Sequence, residues 1–176
     1  MVIKVEMGEG VVSEAPNIIT TVGCGSCVVV VLYDARRKVG GLAHVMLPEE
    51  YKDEGGRMKD EGKDKVSDSS LIPHPSPFMN ASTAIPAILE EMLKKGCSRR
   101  NITAKIAGGA KMFSSYAEFP AGIGEQNVKS IRQLLERERI PLTGFDVGGR
   151  HGRSLEFYLD SGRVVVKAFG KEDREI

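Results

Sequence analysis

The stretch VVVVLYDARRKVGGLAHVML, residues 28–47, decides the fold. Two apolar runs lie on either side of the polar turn ARRK, and this arrangement predicts two strands joined as a hairpin. Upstream, VIKVEMGEGVV and NIITTV are also typical of β-strands, and Gly and Pro residues separate them. We therefore expect the first third of the chain to form sheet.

Two helices are predicted downstream. The first begins near Ser82 as N-cap, runs through TAIPAILEEMLKK and stops at Gly96. The second covers GEQNVKSIRQLLERER, where apolar residues recur at helical spacing. Between them, ITAKIAGGAKMF predicts a strand that runs into a Gly-Gly bend, and SLEFYL with RVVVKAF predicts a final hairpin. The expected fold class is α+β, a layered sandwich of mixed, largely antiparallel β-sheet flanked by two main helices.

Length and composition limit the classes of protein that need consideration. A chain of 176 residues with 41% hydrophobic content predicts a single domain, 1–176, in which the charged segment 49–70 forms a mobile surface loop. The net charge of +1 gives no electrostatic case for binding nucleic acid. The apolar runs are too short to cross a bilayer, and MVIKVEMGEG lacks the blocks of a signal peptide. We therefore expect a cytoplasmic protein without membrane insertion.

Two cysteines precede the valine run, in the order Cys24-Gly-Ser-Cys27. A redox pair of the thioredoxin type lies at the start of a helix, whereas a strand is predicted to follow Cys27. A zinc site needs a second close-spaced Cys or His pair, and the remaining candidates are scattered singly. We therefore expect no metal site. The alternatives left for Cys27 are a nucleophile or a small apolar residue buried at a strand end.

A count along the hairpin brings Cys27 and His44 together. If Asp34 to Arg37 form a four-residue turn, Tyr33 pairs with Lys38 and Cys27 lies opposite His44, with Cβ atoms about 5 Å apart. At that separation the imidazole can accept the thiol proton and lower the thiol pKa. Cys27 is then expected to react with alkylating agents near neutral pH faster than Cys97.

Two further groups complete the expected constellation. Gly25 permits a tight turn through Ser26, where backbone N–H groups such as that of Cys27 can face a developing oxyanion. Thr21, on the preceding strand, can accept a hydrogen bond from the second imidazole nitrogen and fix its tautomer. Thr21 also fits as an ordinary β-branched strand residue.

These segments carry a family resemblance. The chain resembles the CheD family of chemoreceptor glutamine deamidases through TVGCGSCVVVVLYD, VGGLAHVMLP, AKIAGGAKMF, IGEQNV, DVGGRHGRSLEF and SGRVVV. The resemblance implies a cysteine hydrolase with the triad Cys27, His44 and Thr21, and leaves Cys24 as a bystander. It also implies a possible substrate cleft lined by Gly108, Gly109, Gly148, Gly149 and Arg153.

The resemblance implies a function as well. Specific glutamine side chains on methyl-accepting chemotaxis receptors are hydrolysed to glutamate, without a metal or an organic cofactor. The implied partners are these receptors and a CheC-type phosphatase. The alternative is a binding module that regulates CheC with little or no catalysis, although a pure binder has no physical need for all three triad residues.

Overall fold

Ten strands, two α-helices and one short 3-10 helix form the residues that the computed structural model describes, 1–48, 76–112 and 122–176. The helices are α1 (Ala81–Lys94) and α2 (Ile123–Arg137), and the 3-10 helix is Arg99–Asn101. The strands are β1 (Val2–Lys4), β2 (Gly10–Glu14), β3 (Ile18–Cys24), β4 (Val28–Asp34), β5 (Val39–Val45), β6 (Ile102–Gly108), β7 (Leu142–Val147), β8 (Arg153–Tyr158), β9 (Arg163–Lys167) and β10 (Arg174–Glu175).

The strands form two five-stranded sheets. Sheet A has the order β1-β3-β8-β9-β10, and sheet B has the order β2-β5-β4-β6-β7. The β1–β3 and β6–β7 pairs are parallel and the other pairs are antiparallel. The expectation of a mixed, largely antiparallel sheet is confirmed.

The valine run of β4 is buried on both faces of sheet B. Val28 and Val30 belong to an apolar cluster with the inner faces of α1 and α2. Val29 and Val31 belong to a second cluster with residues of sheet A such as Phe157. A strand covered on both faces has no solvent side, which explains why its sequence is continuously apolar. The layers are therefore helices, sheet B and sheet A, and the predicted α+β sandwich is confirmed.

The register of the β4–β5 hairpin differs from the predicted one by one residue on each strand. Asp34 pairs with Val39, so the turn comprises residues 35–38. The Asp34 carboxylate accepts hydrogen bonds from the backbone N–H groups of Arg36 and Arg37 at 3.0 and 3.2 Å. Because this side chain closes the turn from the last position of the strand, the turn begins after Asp34 rather than at it. The prediction that Cys27 lies directly opposite His44 is wrong: Val29 has that position.

The helices begin slightly earlier than predicted. The N-cap of α1 is Asn80 rather than Ser82, and α2 starts at Ile123. The predicted stop at Gly96 is confirmed, since its φ is +83° and its N–H donates to the carbonyl of Leu93. Within the described ranges, no helix is long and apolar enough to cross a membrane. The charged segment 49–70, predicted to be a mobile loop, lies outside the described residues.

Candidate active site

A hydrogen bond between the two sheets lies at the centre of the site. Thr21 on β3 of sheet A and His44 on β5 of sheet B both face the layer between the sheets and are fully buried. The Thr21 Oγ1 atom lies 2.8 Å from His44 Nδ1. This hydrogen bond fixes the orientation of the imidazole ring through Nδ1, and Nε2 is then the nitrogen that can exchange a proton with another group.

The second imidazole nitrogen of His44 is buried and has no hydrogen-bond partner among the residues described. Cys27 lies in the bend just before β4, on the same sheet face as Val29, which pairs directly with His44. Cys27 is therefore a diagonal neighbour of His44, two positions from direct opposition. Diagonal neighbours on one sheet face are within reach of an aromatic side chain. The arrangement brings a thiol and an unengaged imidazole nitrogen to one face of the sheet.

The bend that carries Cys27 is anchored through its carbonyl groups. Three successive carbonyls accept hydrogen bonds: Gly25 from the Ala110 N–H at 2.8 Å, Ser26 from the Asn127 side chain at 3.0 Å, and Cys27 from the Gly109 N–H at 2.7 Å. In a planar trans peptide the N–H points away from the preceding carbonyl. The N–H groups of Ser26 and Cys27 therefore point away from these anchors, and within the described segments neither donates to another backbone carbonyl. Such N–H groups can receive an oxyanion.

The predicted glycine pairs support the bend. A Cβ atom at Gly108, where φ is +118°, would collide with the Cys27 carbonyl oxygen and the Cys24 sulfur. The Gly108 carbonyl accepts a hydrogen bond from the Gly148 N–H at 2.9 Å, and the Gly149 carbonyl accepts one from the Lys111 N–H at 2.8 Å. The structure thus brings the two glycine pairs together behind the Cys27 bend.

Arg153 is placed differently from the other cleft candidates. Only 3% of its surface is exposed. Its Nε and Nη2 atoms donate to one carboxylate oxygen of Asp146 at 3.1 and 2.8 Å, and Nη1 donates to the His151 carbonyl at 3.2 Å. The side chain therefore links the residues on either side of Gly148 and Gly149, and three of its N–H groups are engaged within the protein.

Cys24 has a different environment from Cys27. It is fully buried, and its thiol donates to the carbonyls of Cys27 at 3.2 Å and Ala107 at 3.6 Å. Burial raises the pKa of Cys24 to about 12, so this thiol stays protonated. All three cysteines are free. No group of three or more His, Cys, Asp or Glu side chains that could hold a metal ion occurs in the described part of the chain.

Burial also sets the protonation of the Cys27 and His44 pair. Burial raises the pKa of the Cys27 thiol, and the Cys27 N–H partly opposes this shift. Burial lowers the pKa of His44, and the Glu6 carboxylate partly opposes that shift. At neutral pH the resting pair is therefore a thiol and a neutral imidazole. The expected lowering of the Cys27 pKa is wrong for the resting site, because desolvation disfavours both charged forms.

Sequence reasoning missed Asn127. The residue lies on α2, is fully buried, and donates from Nδ2 to the carbonyls of Ser26 at 3.0 Å and Met46 at 2.9 Å. One signal could have found it: Asn127 precedes Ile131 by four positions and Leu134 by seven, so an amide occupies the apolar stripe of the helix. A buried amide on such a stripe needs partners, and here the partners flank the site.

Comparison with known proteins identifies the family. The family model of CheD, described as CheD chemotactic sensory transduction, matches residues 67–168. A probable chemoreceptor glutamine deamidase CheD of Caldanaerobacter subterraneus subsp. tengcongensis is 40% identical to the chain, over 96% of this chain and 94% of the relative. Relatives of the same description from Geobacter metallireducens and Haloarcula marismortui are 36% and 37% identical over 99% and 94% of this chain, covering 98% and 84% of their own lengths. The chain belongs to the CheD family.

Proposed function

We propose that this protein hydrolyses glutamine side chains of chemoreceptors to glutamate, with Cys27 as nucleophile, His44 as general base and acid, and Thr21 as the group that orients His44. The observation that carries the proposal is the 2.8 Å hydrogen bond between Thr21 Oγ1 and His44 Nδ1. In the neutral tautomer that can act as a base through Nε2, Nδ1–H donates and the Thr21 hydroxyl oxygen accepts. Nε2 has no hydrogen-bond partner in the described part of the chain, and Cys27 lies on the same sheet face. The names of the relatives support the choice of substrate.

The first chemical step is thiol attack on the carboxamide. His44 Nε2 takes the Cys27 proton as the sulfur forms a bond to the carboxamide carbon. Negative charge develops on the amide oxygen, which the N–H groups of Ser26 and Cys27 stabilise. The imidazolium then gives its proton to the amide nitrogen, the carbon–nitrogen bond breaks and ammonia leaves. A thioester between the glutamine side chain and Cys27 remains.

The second step hydrolyses the thioester. Neutral His44 takes a proton from water, the hydroxide oxygen bonds to the thioester carbon, and a second oxyanion forms in the same place. The carbon–sulfur bond breaks, the proton returns from His44 to the sulfur, and the product is the glutamate side chain. Every atom and proton comes from the substrate, water or the two side chains, so these steps use no cofactor.

The neutral resting pair determines how the thiol is activated. Because burial favours the uncharged thiol and the uncharged imidazole, proton transfer accompanies attack rather than preceding it. The lowered pKa of His44 keeps its base form available below its usual pH range. Association with a CheC-type phosphatase remains a prediction from the family resemblance, and a cytoplasmic location remains a prediction from the sequence.

Mass spectrometry of receptor cytoplasmic fragments incubated with the protein tests the proposal. Wild type is expected to produce the amide-to-acid mass shift at particular glutamines, and Cys27→Ala is expected to produce none. Cys24→Ser is the matched control, since it changes the neighbouring buried cysteine and keeps a donor for the Cys27 carbonyl. A shift that persists with Cys27→Ala would end the nucleophile assignment. Receptor fragments left unchanged by wild type would end the substrate assignment.

A further inference from the structure

Asn127 links the two segments that carry the candidate nucleophile and base. Its side-chain nitrogen donates to the carbonyl of Ser26, directly before Cys27, at 3.0 Å. The same nitrogen donates to the carbonyl of Met46, two residues after His44, at 2.9 Å. The residue is fully buried, so both hydrogen bonds form away from water.

The orientation of this amide is fixed by its partners. The two acceptors are backbone carbonyls, which cannot donate. A reversed amide would place Oδ1 against two carbonyl oxygens and lose both hydrogen bonds. The Oδ1 atom has no partner among residues 1–48, 76–112 and 122–176. The side chain is therefore held through its two N–H bonds.

The Ser26 carbonyl belongs to the peptide whose nitrogen is the Cys27 N–H. Because that peptide is planar, fixing the direction of its oxygen also fixes the direction of its hydrogen. The adjacent carbonyls, on Gly25 and Cys27, are held by backbone N–H groups, whereas the Ser26 carbonyl is held by a side chain. This peptide is the one in the bend whose direction a single substitution can release.

We propose that Asn127 is a positioning residue for the oxyanion site: it holds the Ser26–Cys27 peptide so that the Cys27 N–H faces the oxygen that becomes negative during attack. This inference rests on the proposed function. Asn127 touches no reacting atom, because its hydrogen bonds go to backbone carbonyls that face the helix. Its effect is on transition-state charge and not on the reactivity of the thiol.

The competing explanation is that Asn127 only attaches α2 to sheet B. Ser130 provides a matched control, because it lies one turn further along α2, is also buried, and donates from its hydroxyl to the Pro48 carbonyl at 2.8 Å. It thus attaches the same helix to the segment after β5 without contacting the Cys27 bend. Asn127→Leu keeps a similar volume and removes both donors, and Asn127→Ala removes them without adding bulk.

Two reagents for Cys27 separate positioning of the oxyanion site from general loosening. Iodoacetamide alkylates the sulfur at a saturated carbon, so no oxyanion forms. With p-nitrophenyl acetate the sulfur bonds to the acetyl carbon through a tetrahedral oxyanion, p-nitrophenolate leaves, and the thiol proton passes to His44. The measured quantity is the ratio of the acylation rate to the alkylation rate, with each rate assigned to Cys27 by peptide mapping.

We expect this ratio to fall about tenfold in Asn127→Leu and Asn127→Ala, less than the 10²–10³ typical of deleting an oxyanion donor, because the N–H is displaced and not removed. Ser130→Ala should keep the wild-type ratio. A wild-type ratio in either folded Asn127 variant, whether both reactions slow equally or neither changes, would overturn the inference. Thermal unfolding checks that each variant is folded, and Asn127→Ala decides the matter if Asn127→Leu does not fold.

The assay uses no receptor, so its result is independent of the substrate assignment. A wild type that is acylated at Cys27 but leaves receptor fragments unchanged would refute the proposed substrate, and the ratio would still decide the role of Asn127. A wild-type Cys27 that resists acylation while it is alkylated would refute the oxyanion site and this inference together.

Discussion

Thr21→Val is the substitution that tests the orientation of His44 most directly. Valine keeps the β-branched shape and almost the same volume, so the packing between the sheets is retained. What is lost is the hydroxyl that lies 2.8 Å from Nδ1 of a fully buried imidazole. The variant leaves a buried polar nitrogen without its partner and leaves the reacting groups in place.

The expected magnitude follows from the burial. Removing one partner of a buried hydrogen bond costs about 1–3 kcal/mol, because the remaining polar atom cannot turn to water. If the Nδ1 bond is needed for the productive orientation of His44, a loss of that size corresponds to roughly a 5- to 150-fold decrease in kcat. Because Thr21 is fully buried, its side chain cannot contact a receptor from outside, and KM should change little. The same loss should appear in the free energy of unfolding.

The assay is the rate of receptor deamidation by mass spectrometry, together with urea unfolding. Thr21→Ser is the matched control, since it keeps the hydroxyl and loses only a methyl group. We expect Thr21→Ser to retain most of kcat and Thr21→Val to lose it. Thr21→Val with a wild-type kcat would refute the argument that Thr21 orients the base, and equal losses in both variants would assign the effect to packing.

Three further outcomes are expected. His44→Ala should abolish deamidation and leave a folded protein, as circular dichroism and receptor mass spectrometry can show; retained turnover would exclude His44 as the base. Gly108→Ala should lower the free energy of unfolding in urea by more than Gly148→Ala does. Both glycines have positive φ, but an added Cβ atom would collide with a backbone oxygen and a sulfur at Gly108 and with nothing at Gly148. Equal losses in the two variants would contradict this reasoning. Burial lowers the pKa of His44 in the folded protein below the unfolded value of about 6.5. Between these two pKa values the unfolded state binds more protons than the folded state. The free energy of unfolding should therefore fall as the pH drops through this range, by up to about 1.4 kcal/mol per pH unit. His44→Phe should remove that part of the slope, and an unchanged slope would refute the assignment.

The local patterns of the sequence determined most of the elements. The apolar runs that flank ARRK predicted the central hairpin, and the helical spacing of apolar residues with Gly96 as a stop predicted α1. These signals are short-range: strand propensity, turn chemistry and helix termination depend on residues within a few positions of each other. The sandwich class followed because one-sided apolar elements must cover each other.

The register of the hairpin required more than a residue count. A side chain in the turn, the carboxylate of Asp34, accepts two backbone N–H bonds and moves the turn by one position. That shift replaced direct opposition of Cys27 and His44 by a diagonal relation. The residue types in the candidate site and the hydrogen bond between Thr21 and His44 were thus expected before the structure, whereas the position of Cys27 relative to His44 was not.

Only the tertiary structure brought the site residues together across layers. Thr21 and His44 lie in different sheets, and no periodicity along the chain reports a contact between sheets. Asn127 reaches Ser26 from a helix about a hundred positions away, and Arg153 is turned inward by Asp146. Burial, which reversed the expected direction of the Cys27 pKa, is likewise a property of the packed layers. The sequence determined which chemical groups are available, and the packing decided their distances, partners and protonation, because these depend on atoms far apart in the chain.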